Sequence, residues 1–325
     1  MVDRPALGRP KPAAPPPGVR RSRWGHQSGK LAPVAALVLN AFVWGCSWWP
    51  FRALANEGVH ALWSTSLIYL VAFVGFVPLR PSALPELLRT PGLWLLAAAA
   101  GMTNVGFNWA VSIGDVVRVV LLFYLMPAWS VLLAWWILGE RPSGAGLGRL
   151  LLALAGVATV LDTGGTGLPF PRALPEWLAL AGGFSFALTN VLLRRLRHVT
   201  AGSRVLAMFG GGMLLAGAVA WTGVQQGSVA PLPLLGTHGW LLAVLLAAGF
   251  LVANLGLQYG ASRLPAHTTA LVMLSEVVFA SFSSVALGAA QLTPRTLAGG
   301  LLIVAAAAWS AWPRREAAAP GAPQA

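Results

Sequence analysis

Eight side chains in this sequence combine a chemistry-bearing type with a spacing that gives it a use: Glu276, Arg118, Asn104, Asn108, Tyr124, Asn254, Gln258 and Trp44. Glu276 stands well inside an otherwise apolar run, Ala266–Leu287. At ~1.5 Å per residue in a helix it lies ~15 Å deep. A carboxyl in such surroundings must face a cavity, find a partner or hold a proton. It can bind a proton or a cationic amine, or it can hydrogen-bond between helices and fix their packing. Asn104 and Asn108 are four residues apart, as are Asn254 and Gln258, which puts each pair on one helix face. Amides of this kind bridge neighbouring helices for ~0.6 kcal/mol each, so packing competes with lining a cavity. Arg118 follows Asp115 by three residues, close enough for a local pair. It reads either as an interfacial arginine whose head reaches water or as a cation at an outer gate that meets a carboxylate. Tyr124 and Trp44 offer aromatic surface for a pocket. Pro127 removes one backbone hydrogen bond in the middle of its run and frees a carbonyl.

Other chemistries lack their residues. The single cysteine, Cys46, lies inside an apolar run, so neither a disulfide framework nor a cysteine metal site is expected. The five histidines are scattered, without metal-ligand spacing. No glycine-rich loop with a lysine cradles phosphate, so an ATP-driven motor is not expected and no cofactor is called for. A membrane-embedded enzyme would need several acids, bases or ligands at one depth, and one deep carboxyl is too few. A scaffold subunit would need no central cavity. These two remain the alternatives to a carrier.

The elements that must position these residues follow from composition. Of 325 residues, 57% are hydrophobic and only 10% charged, against ~25% charged in soluble domains. The solvent of such a surface is lipid. The net charge of +13 sits in tails and loops, so it orients helices against a membrane and does not imply nucleic acid. Ten apolar segments are expected to be helices: Pro33–Phe51, Ala61–Leu79, Leu93–Ile113, Val116–Leu138, Ala145–Leu161, Pro175–Leu193, Val205–Val224, Trp240–Ala261, Ala266–Leu287 and Thr296–Trp312. Residues 1–30 form a Pro- and Arg-rich basic tail, expected to be disordered, and residues 314–325 a second tail. With the N-terminus in the cytoplasm, 18 of the 22 basic residues fall inside, and Arg52, Arg118, Arg172 and Arg295 fall outside. That bias predicts ten crossings with both termini cytoplasmic.

The segments repeat. Phe42–Arg52 aligns with Phe184–Arg194 without a gap, and Asn104-Val-Gly-Phe-Asn108 with Asn254-Leu-Gly-Leu-Gln258. With one residue dropped, Arg118 falls on His267, Pro127 on Glu276 and Gly139 on Gly288. Five crossings per copy invert the second relative to the first. Residues 33–163 and 174–313 are therefore read as two inverted five-helix repeats of an all-α membrane protein, an architecture that puts a site between the halves near the midplane.

The motifs Trp44-Gly45, Leu125-Met-Pro127, Leu138-Gly139-Glu140-Arg141 and Gly148, with Leu274-Ser-Glu276, Leu287-Gly288 and Gly299 in the second copy, resemble the EamA-like branch of the drug/metabolite transporter superfamily. The second copy departs from the first where Ala289-Ala290 stand in place of Glu140. The resemblance implies a multi-pass permease of the bacterial inner membrane, often an exporter of amino acids or related metabolites. Its partners would be a small-molecule cargo, the lipid bilayer and protons. A monomer suffices for that work.

Overall fold

The computed structural model describes residues 25–139, 144–162, 170–261, 263–264, 269 and 272–311, excluding the side chains of residues 25–30, 138, 258, 261, 310 and 311. Residues 1–24 of the first tail, the second tail, Glu140, Arg141 and His267 lie outside the described residues. Those described are helical or in short turns, with no strand among them. The helices are α1 (Gly25–Cys46), α2 (Trp48–Asn56), α3 (Ala61–Phe76), α4 (Ala83–Arg89), α5 (Pro91–Ile113), α6 (Val116–Phe123) and α7 (Met126–Leu138). Then come α8 (Gly144–Leu161), α9 (Leu174–Arg195), α10 (Ala201–Gln225), α11 (Thr237–Ala261), α12 (Ser275–Ala286) and α13 (Pro294–Ala311). Helix α1 thus starts six residues inside the segment expected as tail.

Seven stretches are long and apolar enough to cross a bilayer: α1 with α2, α3 with its following 3-10 turn, α6 with α7, then α8, α9, α10 and α11. Helix α5 has 23 residues, enough for a crossing at ~20 residues each. The chain is a multi-pass membrane protein. Tryptophans 49, 94, 135, 136, 177, 221, 240 and 309 are exposed on the bundle surface, as an aromatic belt requires.

Small residues decide which helices touch. Helix α5 packs on α9 and α10, α11 on α1 and α3, α7 on α9, α12 on α1, and α8 on α13. A Cβ on Gly211 of α10 would fall 1.9 Å from the Ala97 carbonyl of α5, so these two backbones meet with no side chain between them. Helices α8 and α13 meet the same way: a Cβ on Gly156 would lie 2.8 Å from the Gly299 carbonyl, and one on Gly299 2.6 Å from that of Gly156.

The short helix α4 lies between α3 and α5, at the end of the bundle away from Arg52. It is tied to the start of α10. The Ser203 hydroxyl donates to a Glu86 carboxylate oxygen (2.5 Å), as does the Thr200 hydroxyl (2.6 Å), and the Thr200 backbone N–H donates to the other oxygen (3.4 Å). These donors favour the charged form and hold the Glu86 carboxyl below its usual range, the Ser203 bond foremost.

Gly211→Ala is expected to cost ~1–3 kcal/mol through forced separation of α5 and α10. Gly75→Ala, whose Cβ would meet nothing within 4 Å, is expected to be neutral or stabilising; thermal melts in detergent distinguish the two. For Glu86 the folded pKa is depressed, so its contribution is complete above the ordinary carboxylate range and disappears as pH falls through the lower folded value. The protection factors of the α4 amides, relative to intrinsic exchange at each pH, should therefore fall on acidification, and Glu86→Gln should remove that dependence.

Candidate functional site

Two prolines break two membrane helices by the same local rule. A proline lacks the N–H that would bond four residues back, and its ring collides with that carbonyl. Pro50 stands four residues after Cys46, where α1 ends. Pro127 stands four residues after Phe123, where α6 ends. The segment expected as one helix over Val116–Leu138 is thus two, with Tyr124 and Leu125 between them. The carbonyl that Pro127 leaves open is not a free ligand. A Cβ on Gly183 of α9 would lie 2.6 Å from the Phe123 oxygen, so that oxygen faces a glycine.

The segment expected as a continuous helix over Ala266–Leu287 is also interrupted, at Leu274, and no proline stands four residues later. Tyr124 stands at this interruption. Its hydroxyl lies 3.2 Å from the Met273 carbonyl and 3.1 Å from Glu276 Oε2, donating its one proton between them. In an unbroken helix the Met273 carbonyl would take the Val277 N–H; here that N–H goes to Leu274 instead, at 3.1 Å. Glu276 consequently sits in the first turn of α12, where the helix dipole favours negative charge. Tyr124 is 2% exposed and Glu276 9%. Around them pack Val120, Leu121, Leu125, Val277 and Ala280. Helix α1 closes one side: a Cβ on Gly45 would lie 2.8 Å from the Glu276 carbonyl. The arrangement is one buried carboxyl with one hydroxyl donor at the meeting point of two helix breaks. It can take and give a proton, or pair with a cationic amine.

The other residues singled out by sequence have different partners. Asn104 accepts from the Tyr69 hydroxyl (2.5 Å) and donates to the Ala100 carbonyl (2.8 Å). Asn108 donates to the Thr65 hydroxyl (3.3 Å), and its carbonyl oxygen is buried without a partner. This pair therefore joins α5 to α3. Asn254 donates to the Phe250 carbonyl (2.9 Å) and is part-exposed. The Gln258 side chain lies outside the described residues. Trp44 stacks on Phe250, centroids 4.4 Å apart at 15°, and Phe250 also meets Tyr69 at 5.8 Å. Trp44, Phe250, Tyr69 and Asn104 form one connected wall across α1, α11, α3 and α5.

Arg118 does not pair with the Asp115 side chain as its spacing suggested. Asp115 Oδ1 caps α6 by accepting the Arg118 backbone N–H (2.8 Å). The Arg118 guanidinium instead meets Glu176 of α9 at 2.7 Å. Both carboxylates cap a helix, but Asp115 has both oxygens on backbone N–H groups, whereas Glu176 caps through Oε2 and leaves Oε1 for the arginine 58 positions away. Arg118 lines a cleft of about 740 Å³ together with Arg52, Asp115, Asp162, Gln291 and Arg295, among others. Arg52 drew attention in the sequence only as one of four basic residues expected outside. In the structure it donates to the carbonyls of Val111 (3.1 Å), Gly114 and Ala289 (3.5 Å). Those partners lie far along the chain and carry no side-chain signal, so no spacing rule points to them.

Broken apolar helices meeting at a buried acid in a multi-pass bundle suit a membrane transporter. Comparison with known proteins agrees. The EamA-like transporter family matches residues 31–161. Protein RarD of Streptomyces exfoliatus is 30% identical over 284 residues, spanning 83% of this chain and 85% of that protein. A solved crystal structure at 20% identity superposes with a TM-score of 0.54, covering 87% of this chain and 96% of the other, and shares the fold. The chain belongs to the EamA-like transporter family, whose members move small molecules across membranes.

Tyr124→Phe leaves both Glu276 Oε2 and the Met273 carbonyl without that donor. A loss of ~1–3 kcal/mol is expected. Combined with Glu276→Gln it should cost less than the sum of the two single losses. Additive losses in detergent unfolding would show that the two side chains do not share an interaction.

Proposed function

We propose that the protein is a secondary transporter, an exporter or facilitator of a small organic metabolite such as an amino acid. It would sit in the bacterial inner membrane with both termini cytoplasmic. Transport proceeds by alternating access, as two inverted five-helix halves, 33–163 and 174–313, rock about a shared site. Glu276 binds a proton or the cargo's amine, with Tyr124 as its hydrogen-bond partner. Asn104, Asn108, Asn254, Gln258 and Trp44 supply polar and aromatic lining, and Arg118 belongs to the outer mouth.

The observation that carries this reading is the Tyr124–Glu276 contact, because it joins the break in one half to the break in the other. Packing supports the inversion. Exchanging the halves turns the contacts of α5 with α9 and α10 into those of α11 with α1 and α3, and the α7–α9 contact into α12–α1. The α3–α10 and α8–α13 contacts map onto themselves. Close contacts correspond residue by residue. A Cβ on Gly106 would lie 2.7 Å from the Leu178 carbonyl, and one on Gly256 2.9 Å from that of Ala36. Gly106 pairs with Gly256, and Ala36 with Leu178, under the registers already set by the asparagine and phenylalanine motifs. Gly139 and Gly288, also equivalent, both end their helices with positive φ, +70° and +67°, as left-handed helix caps do.

The test is uptake into proteoliposomes under an imposed pH gradient, with pooled labelled amino acids and aromatic amines, comparing wild type with Glu276→Gln. Gradient-dependent accumulation in the wild type, reduced at least ~10-fold in the variant, is expected of a general acid–base or coupling group. Equal accumulation in both would make Glu276 structural.

A further inference from the structure

The floor of the charged cleft is stitched shut across the two halves. Arg52, on α2, reaches the last carbonyls of α5 (Val111 at 3.1 Å, and Gly114) and the Ala289 carbonyl in the turn between α12 and α13. Asp115 makes a second stitch: its Oδ2 accepts from the Gln291 backbone N–H at 3.2 Å. Both stitches hold the turn 288–291 to the end of the first half. Arg52 also lies over the Trp48 ring, 5.3 Å from its centroid. The Trp48 indole N–H in turn donates to Ser283 of α12 (2.9 Å), the helix that begins beside Glu276. With Gly45 packed on the backbone of residues 276–280, positions 45, 48 and 52 make one face of α1 and α2 that runs from the buried acid to the cleft.

The arginines of the cleft are not equivalent. Arg118 is held by Glu176 at 2.7 Å, and Arg295 lies 3.9 Å from Asp162. The two oxygens of Asp115 are taken by backbone N–H groups. Among the described residues Arg52 is the cleft arginine whose three hydrogen bonds go to neutral carbonyls, with Asp115 close enough to attract its charge but both Asp115 oxygens bonded to backbone N–H groups. An ionised carboxylate is a stronger acceptor than a carbonyl, and the guanidinium fork fits it in bidentate fashion. The Ala289 contact, at 3.5 Å, is at the edge of hydrogen-bond range and is the one exchanged at least cost.

We propose that the cleft is a carboxylate-binding vestibule and that Arg52, rather than Arg118, is its gate: an arriving carboxylate takes the place of the Ala289 carbonyl on Arg52 and releases the turn 288–291 from the first half. The inference rests on the alternating-access reading. It adds the ligand class of the mouth and the residue that answers to it. Trp48 and Gly45 carry the movement to α12, so opening at the mouth and the state of Glu276 are mechanically linked.

The test is a spin–spin distance between Ile113→Cys and Leu292→Cys, both exposed positions, in a Cys46→Ser background, with the full chain in nanodiscs. Acetate, benzoate and hippurate are compared with their primary amides at matched ionic strength. The carboxylates are expected to lengthen and broaden the distance distribution by a few ångström, and the amides to leave it unchanged. Arg52→Gln should start from the longer distance and no longer respond. Arg52→Lys, which keeps the charge but loses the fork, should respond weakly; it carries the test if the glutamine variant fails to fold. A distance that none of the three carboxylates moves in the wild type overturns the proposal. So does an Arg52→Lys response equal to wild type. The measurement needs no turnover of cargo. A gate that answers while the uptake panel stays silent would count against the transport reading alone, and the reverse pattern against Arg52 alone.

Discussion

One hydroxyl decides the centre of this molecule. The Tyr124 O–H lies between the Met273 carbonyl and Glu276, where the α-helical ladder is interrupted. The interruption sets Glu276 at a helix start instead of mid-helix. Tyr124 itself is free to reach across because Pro127 has already ended α6 one residue earlier. A single hydroxyl thus bridges the break that Pro127 sets and the break at Leu274. Such coupling suits a site that must respond to both halves at once: displacing either helix costs the same bond.

Around that junction the bundle relies on absent side chains. Gly45, Gly106, Gly183 and Gly256 each bring a neighbouring carbonyl closer than a Cβ would allow. Apolar side chains give no driving force for association in lipid, so helix contacts depend on close van der Waals approach and on a few polar bridges. Here the bridges are Tyr69 to Asn104, Asn108 to Thr65, Asn40 to the Ala253 carbonyl and Trp48 to Ser283. Each joins different helices. Asn104 and Asn108, expected from the sequence to line a cavity or to pack, bridge α5 to α3.

Much of this was legible in the sequence because membrane helices announce themselves by length and composition. Where they are described, the ten apolar segments fall on helix except at Ser47, Tyr124, Leu125, Leu274 and Leu287, and Glu276 and Tyr124 both stand out in the sequence by type and place. Three things were not legible. The break at Leu274 has no proline four residues on, and it coincides with a tertiary hydrogen bond to Met273 from a residue 149 positions away. The Arg118 partner depends on which carboxylate keeps an oxygen free after capping, Oε1 of Glu176 and neither oxygen of Asp115; Glu176, on α9, carries no motif. Arg52 works through backbone carbonyls, which have no signature in a sequence at all. In each case local pattern gave the residue and long-range geometry gave its partner.

The central claim is that the Tyr124–Glu276 junction is reached alternately from the two sides of the membrane. Ser275, next to Glu276 and part-buried, reports on it directly. The most direct measurement is labelling of Ser275→Cys, in a Cys46→Ser background, by a membrane-impermeant thiol reagent in right-side-out and inside-out vesicles. Modification from both sides is the expected result. Modification from one side only, or from neither, would contradict alternating access at this site.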